Sequence, residues 1–158
     1  MSAELDPMPL VAIERLSIAF GAPGAPATVD GVSLSVARGE IVALVGESGS
    51  GKSLLAHTIA GILAPAARIS AERLAFAGVD LTRPGAFAGL RGREIGIIFQ
   101  NPRSALNPVR TVGQQIGDVL REHRGLRFGR VREGVRDALA AVRIPDPEAR
   151  ARAYPGEM

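Results

Sequence analysis

The residues with the clearest chemical potential are a lysine and a serine at the end of a glycine-rich octapeptide. It reads Gly46-Glu47-Ser48-Gly49-Ser50-Gly51-Lys52-Ser53 and satisfies the spacing G-x-x-x-x-G-K-[ST]. Glycines let the backbone turn its N–H groups inward around phosphate oxygens without an intervening side chain. Lys52, the chain's single lysine, would place positive charge between the β- and γ-phosphates, and the Ser53 hydroxyl would ligate Mg²⁺. The motif therefore predicts a phosphate-binding loop for a nucleotide bound with Mg²⁺.

A strand before the loop and a helix after it would hold the loop in place. Ile41 to Val45 is continuously apolar, which is typical of a strand covered on both faces in a parallel sheet. Apolar residues then recur on a helical period from Leu54 to Leu63, and the pattern ends before Pro65. Phosphate loops require this order of strand, loop and helix. The candidate nucleotide contacts are Gly46, Ser48, Gly49, Ser50, Gly51, Lys52, Ser53 and Leu54.

Two segments in which apolar and polar residues alternate precede the strand, loop and helix. From Val11 to Phe20 apolar residues alternate with small or charged ones, and the phase slips at Glu14-Arg15 as it does in a bulged strand. Val32 to Val36 alternates in the same way after a turn rich in glycine and proline. The pattern predicts two antiparallel, half-buried strands.

Two shorter apolar segments follow the unit. Leu74 and Phe76 indicate a short strand that runs into a turn at Gly78. Residues 94–99 form a second compact strand pattern, which ends at Gln100.

The last third of the chain predicts helices. Thr111 and Gln114 have the spacing of a capping box, so a helix should begin at Val112. An amphipathic helix should run from about Gly129 to Arg143, and the run Pro145-Asp146-Pro147 should end it.

Composition indicates one folded, soluble domain. The 158 residues are 46% apolar and 22% charged. No apolar run approaches the roughly 20 residues that cross a bilayer, and residues 1–9 contain Glu4 and Asp6 instead of a signal-peptide pattern. The lack of cysteine excludes disulfides and thiolate metal sites, which suits a reducing cytoplasm.

Arginine supplies all but one of the 19 basic residues and is densest between Arg121 and Arg152. Acidic residues are interleaved there, which favours a solvated helix face over a partner-binding surface, although both interpretations stay open. Nucleic acid is not indicated, because only Phe128 and Tyr154 are available in this stretch to stack on bases.

The loop and a second stretch together resemble a known family. The octapeptide and the preceding residues 32–40 look like the opening of an ATP-binding cassette (ABC) transporter ATPase domain. Residues 91–108, which read RGREIGIIFQNPRSALNP, and the following TVGQQI at 111–116 closely resemble the dipeptide/oligopeptide/nickel importer branch. The resemblance extends from about Val11 to Pro155.

This resemblance implies an α/β P-loop NTPase fold. An antiparallel β layer and P-loop core would occupy about residues 10–100, and a glutamine loop with the start of a helical subdomain about residues 101–158, within one domain over residues 1–158. Gln100 matches the family's loop glutamine, which reaches Mg²⁺ and the attacking water and therefore counts as catalytic and metal-binding. Phe20 matches the aromatic residue that stacks on adenine, although a strand-end phenylalanine is also common in protein cores.

The resemblance also implies a role and partners. The chain would belong to a subunit that couples binding and hydrolysis of ATP, with Mg²⁺, to the uptake of peptides, nickel or a similar small solute. Its partners would be transmembrane permease subunits and a second ATPase subunit, which closes head to tail around two ATP molecules. The subunit would lie at the cytoplasmic face of the inner membrane without spanning it.

The 158 residues lack three later motifs of the family. The Ser-Gly-Gly signature, the apolar strand ending in Asp-Glu and the switch histidine do not occur after Tyr154-Pro155. We therefore expect these 158 residues to be the N-terminal part of an ABC ATPase domain and to have no turnover by themselves. A nucleotide-binding fragment without turnover stays open as an alternative. A soluble P-loop kinase is disfavoured, because no acceptor-site base in a recognisable setting follows Gln100.

Overall fold

The computed structural model describes residues 8–158. We expect residues 1–9 not to form a signal peptide, and most of this segment, residues 1–7, lies outside the described residues. The chain divides into two compact units, Met1–Arg91 and Gly92–Met158.

The first unit is built on two long antiparallel strands, β1 (Val11–Ala19) and β2 (Ala27–Val36). Their register shifts between Ile13 and Leu16, and Arg15 in between has a left-handed φ of 48°. This confirms the predicted bulge. The shift keeps Ile13, Leu16 and Ile18 all buried, which an unbroken alternation of faces could not do.

Three short strands complete the sheet: β3 (Arg68–Ser70), β4 (Arg73–Phe76) and β5 (Val79–Asp80). Both β3 and β4 pair antiparallel with β1, and β4 forms a hairpin with β5. Ala77 and Gly78 have φ values of 46° and 82° in the connecting turn, as a two-residue hairpin of this type requires. The predicted turn at Gly78 is confirmed.

Helix α1 (Lys52–Ala60) is the only helix of this unit among the described residues, and it follows the glycine-rich loop as predicted. Its last helical residue is Ala60, three residues before the end of the apolar pattern at Leu63, and Gly61 adopts a left-handed cap.

Two predicted strands do not form. Residues 41–45 and 94–99 pair with no strand among the described residues, and Ile41, Val45 and Ile98 are each more than 90% exposed. The sequence predicts a strand of a parallel sheet at residues 41–45 and a second strand at residues 94–99, and both predictions are wrong for this structure. Because a strand needs a neighbour to satisfy its N–H and C=O groups, an apolar run alone does not form one.

The second unit packs three helices: α2 (Val112–Arg124), α3 (Phe128–Ala141) and α4 (Pro147–Arg152). Short 3-10 turns at Pro102–Ala105 and Pro155–Glu157 flank them. The sequence did not predict α4, because Pro145 to Pro147 was interpreted only as a helix end. Asp146 instead accepts a hydrogen bond from the Ala149 N–H at 3.3 Å and caps a new helix, with Pro147 in its first turn. The buried core of the unit is Val112, Leu120, Val131, Val135 and Leu139.

An ion-pair cluster fixes the start of α2 against the preceding loop. Arg110 donates to the Asp118 carboxylate at 2.5 Å, and Arg121 donates to the same carboxylate. The hydrogen bond from Arg110 lowers the pKa of Asp118, and Arg121 adds to that effect. The resulting stability is present at neutral pH and is lost as the pH falls through the lowered pKa of Asp118. Because both partners are partly solvated, its contribution is small.

Within residues 8–158, no helix combines the length and the apolar character that crossing a membrane requires.

The capping box at the start of α2 provides a test of this unit's local stability. Thr111 Oγ1 accepts from the Gln114 N–H at 3.3 Å, and Gln114 Oε1 accepts from the Thr111 N–H at 3.0 Å. Thr111→Ala should lower the free energy of unfolding by about 1 kcal/mol, measured by urea denaturation followed by far-ultraviolet circular dichroism. Thr111→Ser keeps the hydroxyl and should retain most of the stability. Equal loss in both variants would contradict the role of the cap.

Candidate functional site

The glycine-rich loop ends in a helix start that only glycine accommodates. Gly51 is the N-cap of α1 with φ 88°, in the left-handed region. A Cβ atom at this position would lie 2.5 Å from Val29 Cγ2, which belongs to the buried side of β2. The loop therefore packs against the antiparallel sheet at Gly51. Substitution there would strain the backbone and push the loop from the sheet at the same time.

The Lys52 ammonium lies over the loop and is held by three acceptors. It donates to the Gly46 carbonyl at 2.8 Å, the Glu47 carbonyl at 2.6 Å and the Ser50 hydroxyl at 3.0 Å. An ammonium has three N–H donors, so these contacts use its full capacity. All three acceptors are electrically neutral, and they orient the positive charge without cancelling it.

The other loop residues set the shape of the loop around Lys52. The Ser50 N–H donates to the Glu47 carbonyl at 3.2 Å, which closes a turn inside the loop. A Cβ atom at Gly46 would lie 2.9 Å from Ser50 Oγ, so a side chain there would displace that hydroxyl from the lysine. Ser48 and Gly49 are exposed, Ser53 is exposed in the first turn of α1, and Leu54 is half-buried. The positive end of the helix dipole adds to the attraction for an anion at this point.

The opposite end of α1 is anchored by residues that the sequence did not identify. Arg91 Nε donates to the Ala60 carbonyl at 3.3 Å, and its terminal nitrogen donates to the Gly61 carbonyl. The same guanidinium lies 5.0 Å from the centre of the Phe87 ring, which packs directly against Gly61. These contacts satisfy the carbonyls of Ala60 and Gly61 and hold the end of the helix that carries the loop.

Phe20 lies immediately after β1 and is half-buried. In the sheet Ile18 is paired with Val29, the residue that contacts Gly51. The end of β1 is therefore beside the phosphate loop. This position is compatible with a base contact, and the stacking role of Phe20 stays a prediction.

Gln100 belongs to the second unit and is exposed, just before the 3-10 turn that begins at Pro102. Residues 8–158 hold no cluster of histidine and acidic side chains that could bind a metal by itself. Mg²⁺ usually takes one or two protein oxygens and completes its shell with phosphate oxygens and water. The Ser53 hydroxyl and the Gln100 amide oxygen are each donors of that kind, so their chemistry fits the predicted cation. Their roles stay predictions.

Comparisons with known proteins identify the family. The model of the ABC transporter family matches residues 29–158, which include the loop, α1 and all three helices of the second unit. The chain belongs to this family. Its fold class is therefore that of an ABC ATPase, a P-loop NTPase with an antiparallel β layer, as the sequence predicted.

Relatives within the ABC family include transport ATP-binding proteins. The dipeptide transport ATP-binding protein DppD of Escherichia coli is 42% identical over 154 residues, covering 96% of this chain and 47% of that protein. The DppD protein of Bacillus subtilis is 39% identical over 150 residues, covering 92% and 45%. The peptidoglycan transport ATP-binding protein YejF of Agrobacterium fabrum is 42% identical over 159 residues, covering 98% and 29%. The resemblance to the peptide-importer branch is confirmed, and the chain spans less than half the length of these relatives.

The single lysine allows a direct test of the phosphate loop. In a polypeptide of these 158 residues, an amine-acylating reagent can modify only Lys52 and the amino terminus at Met1. Bound Mg-ATP should bury the Lys52 ammonium and hold it protonated, and only the neutral amine is nucleophilic. Acylation at Lys52 should slow about tenfold when Mg-ATP is held at roughly ten times its Kd, while Met1 reacts unchanged.

Peptide mass spectrometry over time measures both sites in the same molecule, so Met1 is the internal control. AMP lacks the β- and γ-phosphates and should protect Lys52 much less. Equal labelling of Lys52 with and without saturating Mg-ATP would disprove its contact with the phosphates.

Proposed function

We propose that the protein containing this chain is the ATP-binding subunit of an ABC importer that takes up peptides or a similar small solute such as nickel. The observation that carries this proposal is the Lys52 ammonium, held over a glycine-rich loop at the start of α1 by three neutral acceptors. The names of the relatives support peptides as the transported class.

The loop would bind the nucleotide by exchanging acceptors. The Ser50 hydroxyl is the most distant of the three acceptors of Lys52, at 3.0 Å. The bond to Ser50 has an ionised donor and a neutral acceptor, and a phosphate oxygen that replaces the hydroxyl would add the attraction between two opposite charges. The two carbonyl contacts would keep the ammonium in position during this exchange, so little reorganisation is needed.

Hydrolysis would proceed by in-line attack of water on the γ-phosphorus, which forms the new P–O bond of inorganic phosphate as the bond to the β,γ-bridging oxygen breaks and ADP leaves. Mg²⁺, when bound, supplies Lewis-acid stabilisation of the phosphate charge. Lys52 stabilises the charge that develops on the transferred phosphoryl group, Ser53 offers a hydroxyl to the cation, and Gln100 orients the water. Phe20 contributes to binding of the base.

The whole subunit would act with other chains. We infer transmembrane permease subunits and a second ATPase subunit as its partners, with the subunit peripheral to the cytoplasmic face of the inner membrane. ATP binding and hydrolysis would then be coupled to solute uptake.

The activity of the full-length protein provides the first test. Lys52→Ala should reduce ATP hydrolysis to background and weaken Mg-ATP binding by at least about tenfold, since charge-assisted hydrogen bonds contribute roughly 1.5–3 kcal/mol each. Calorimetry and phosphate release measure the two effects. Arg143→Ala removes one exposed positive charge in the second unit and serves as the charge control. Unchanged hydrolysis in Lys52→Ala would disprove the proposed function.

A second measurement concerns the 158-residue polypeptide by itself. We expect it to bind Mg-ATP but to release phosphate no faster than its Lys52→Ala variant, because its sequence contains neither the Asp-Glu strand nor the signature motif. Lys52-dependent steady-state turnover would show that residues 1–158 suffice for hydrolysis and would contradict this expectation.

A further inference from the structure

Arg68 forms hydrogen bonds with the turn that follows Phe20. It is the first residue of β3 and lies opposite Ala19 in the antiparallel register with β1. One terminal nitrogen of its guanidinium donates to the Gly21 carbonyl, and the other donates to the Ala22 carbonyl at 2.8 Å. A single planar side chain thus holds two consecutive backbone carbonyls, directly after the predicted base-contacting residue.

The turn connects β1 to β2, whose pairing reaches Ala19 and Ala27 at its two ends. Gly21 and Gly24 have φ values of 86° and 87°, and glycine at such positions gives the unrestrained chain many alternative conformations. The Ala25 N–H donates to the Ala22 carbonyl at 3.1 Å and closes the turn locally. This bond does not connect the turn to the sheet, whereas the Arg68 contacts do. Arg68 therefore restricts where the backbone goes after Phe20.

The end of β1 lies beside the β2 residue that contacts the loop. Gly51 packs on Val29, and Val29 is paired with Ile18, two residues before Phe20. The proposed function assigns the phosphates to Lys52 and the base to Phe20, which directly follows this end of β1. Phe20 is joined directly to Gly21, the first of the two residues whose carbonyls accept hydrogen bonds from Arg68.

We propose that Arg68 is a positioning residue for the base of the bound nucleotide, acting through the backbone of residues 21–22 on the Phe20 ring. This inference rests on the proposed function. Arginine suits the role because its planar fork presents two parallel N–H groups, whereas lysine is a flexible point charge. The proposal predicts that Arg68 raises the affinity for ligands that carry a base and does not change the affinity for ligands that carry only phosphates.

The experiment compares Mg-ATP with Mg-tripolyphosphate in the full-length protein that contains this chain. Arg68→Met should weaken Mg-ATP binding by about 3- to 10-fold, a part of the contribution of one base stacked on an aromatic ring. Tripolyphosphate affinity should change by less than about 2-fold, because salt screens the electrostatic effect of the exposed Arg68 charge. Arg68→Lys should restore part of the ATP affinity.

The matched control is Arg73→Met. Arg73 lies in β4 of the same sheet and pairs with Glu14 at 3.4 Å, so the variant loses the same charge without loosening the turn. It should leave the ratio of the ATP and tripolyphosphate affinities unchanged.

A double-mutant cycle tests whether Arg68 acts through Phe20. In a Phe20→Ala background the Arg68→Met change should have no further effect on ATP binding. Additive losses, an equal loss for ATP and tripolyphosphate, or unchanged ATP affinity in Arg68→Met would each overturn the proposal. If neither ligand binds in a Lys52-dependent manner, the proposed function fails, and this inference fails with it.

Discussion

The contact between Gly51 and Val29 is the constraint on which the proposed nucleotide site depends. At this point the glycine-rich loop, the start of α1 and the antiparallel sheet meet with no room for a Cβ atom. The left-handed φ of Gly51 turns the chain from the loop into the helix, so that the first helical residue is Lys52. A bulkier residue would separate the helix start from the sheet. The position of the lysine, and of any phosphate bound to it, therefore follows from one close backbone approach.

Electrostatics then decides what this geometry can bind. The Lys52 ammonium is satisfied by two carbonyls and a hydroxyl, which orient it and leave its full charge available. A carboxylate acceptor in the same position would have neutralised the site. The helix dipole of α1 has the same sign at this end, so the two effects add for a polyanionic ligand. At the far end, Arg91 and Phe87 hold α1 by its last carbonyls. The helix is thereby fixed at both ends.

The exposed apolar segments show that a strand needs hydrogen-bonding partners as well as an apolar sequence. Residues 41–45 lead directly into the loop, yet Ile41 and Val45 are almost fully exposed and the segment has no strand partner among the described residues. The antiparallel strands succeed because β1 has a partner on both sides. Backbone groups need such partners, and an apolar sequence cannot supply them by itself.

The sequence by itself determined the features that depend on near neighbours in the chain. The spacing from Gly46 to Ser53 predicted the loop and the helix after it, the phase slip at Glu14-Arg15 predicted the bulge, and Thr111 with Gln114 predicted the capping box. Each of these rests on backbone conformation or on hydrogen bonds over a few residues, which residue types largely dictate. The family followed from the same local motifs.

Tertiary structure alone decided the contacts that join distant segments. Three such contacts have no local signature in the sequence: Val29 packs on Gly51, Arg91 anchors the end of α1, and Arg68 bonds the turn after Phe20. The sequence around Val29, Arg91 and Arg68 gives no sign of these contacts, because the segments that they contact lie far away in the chain. Tertiary structure also decided against strands at residues 41–45 and 94–99. Whether an apolar segment becomes a strand depends on where its hydrogen-bond partners lie in space, and that information is not contained in the segment itself.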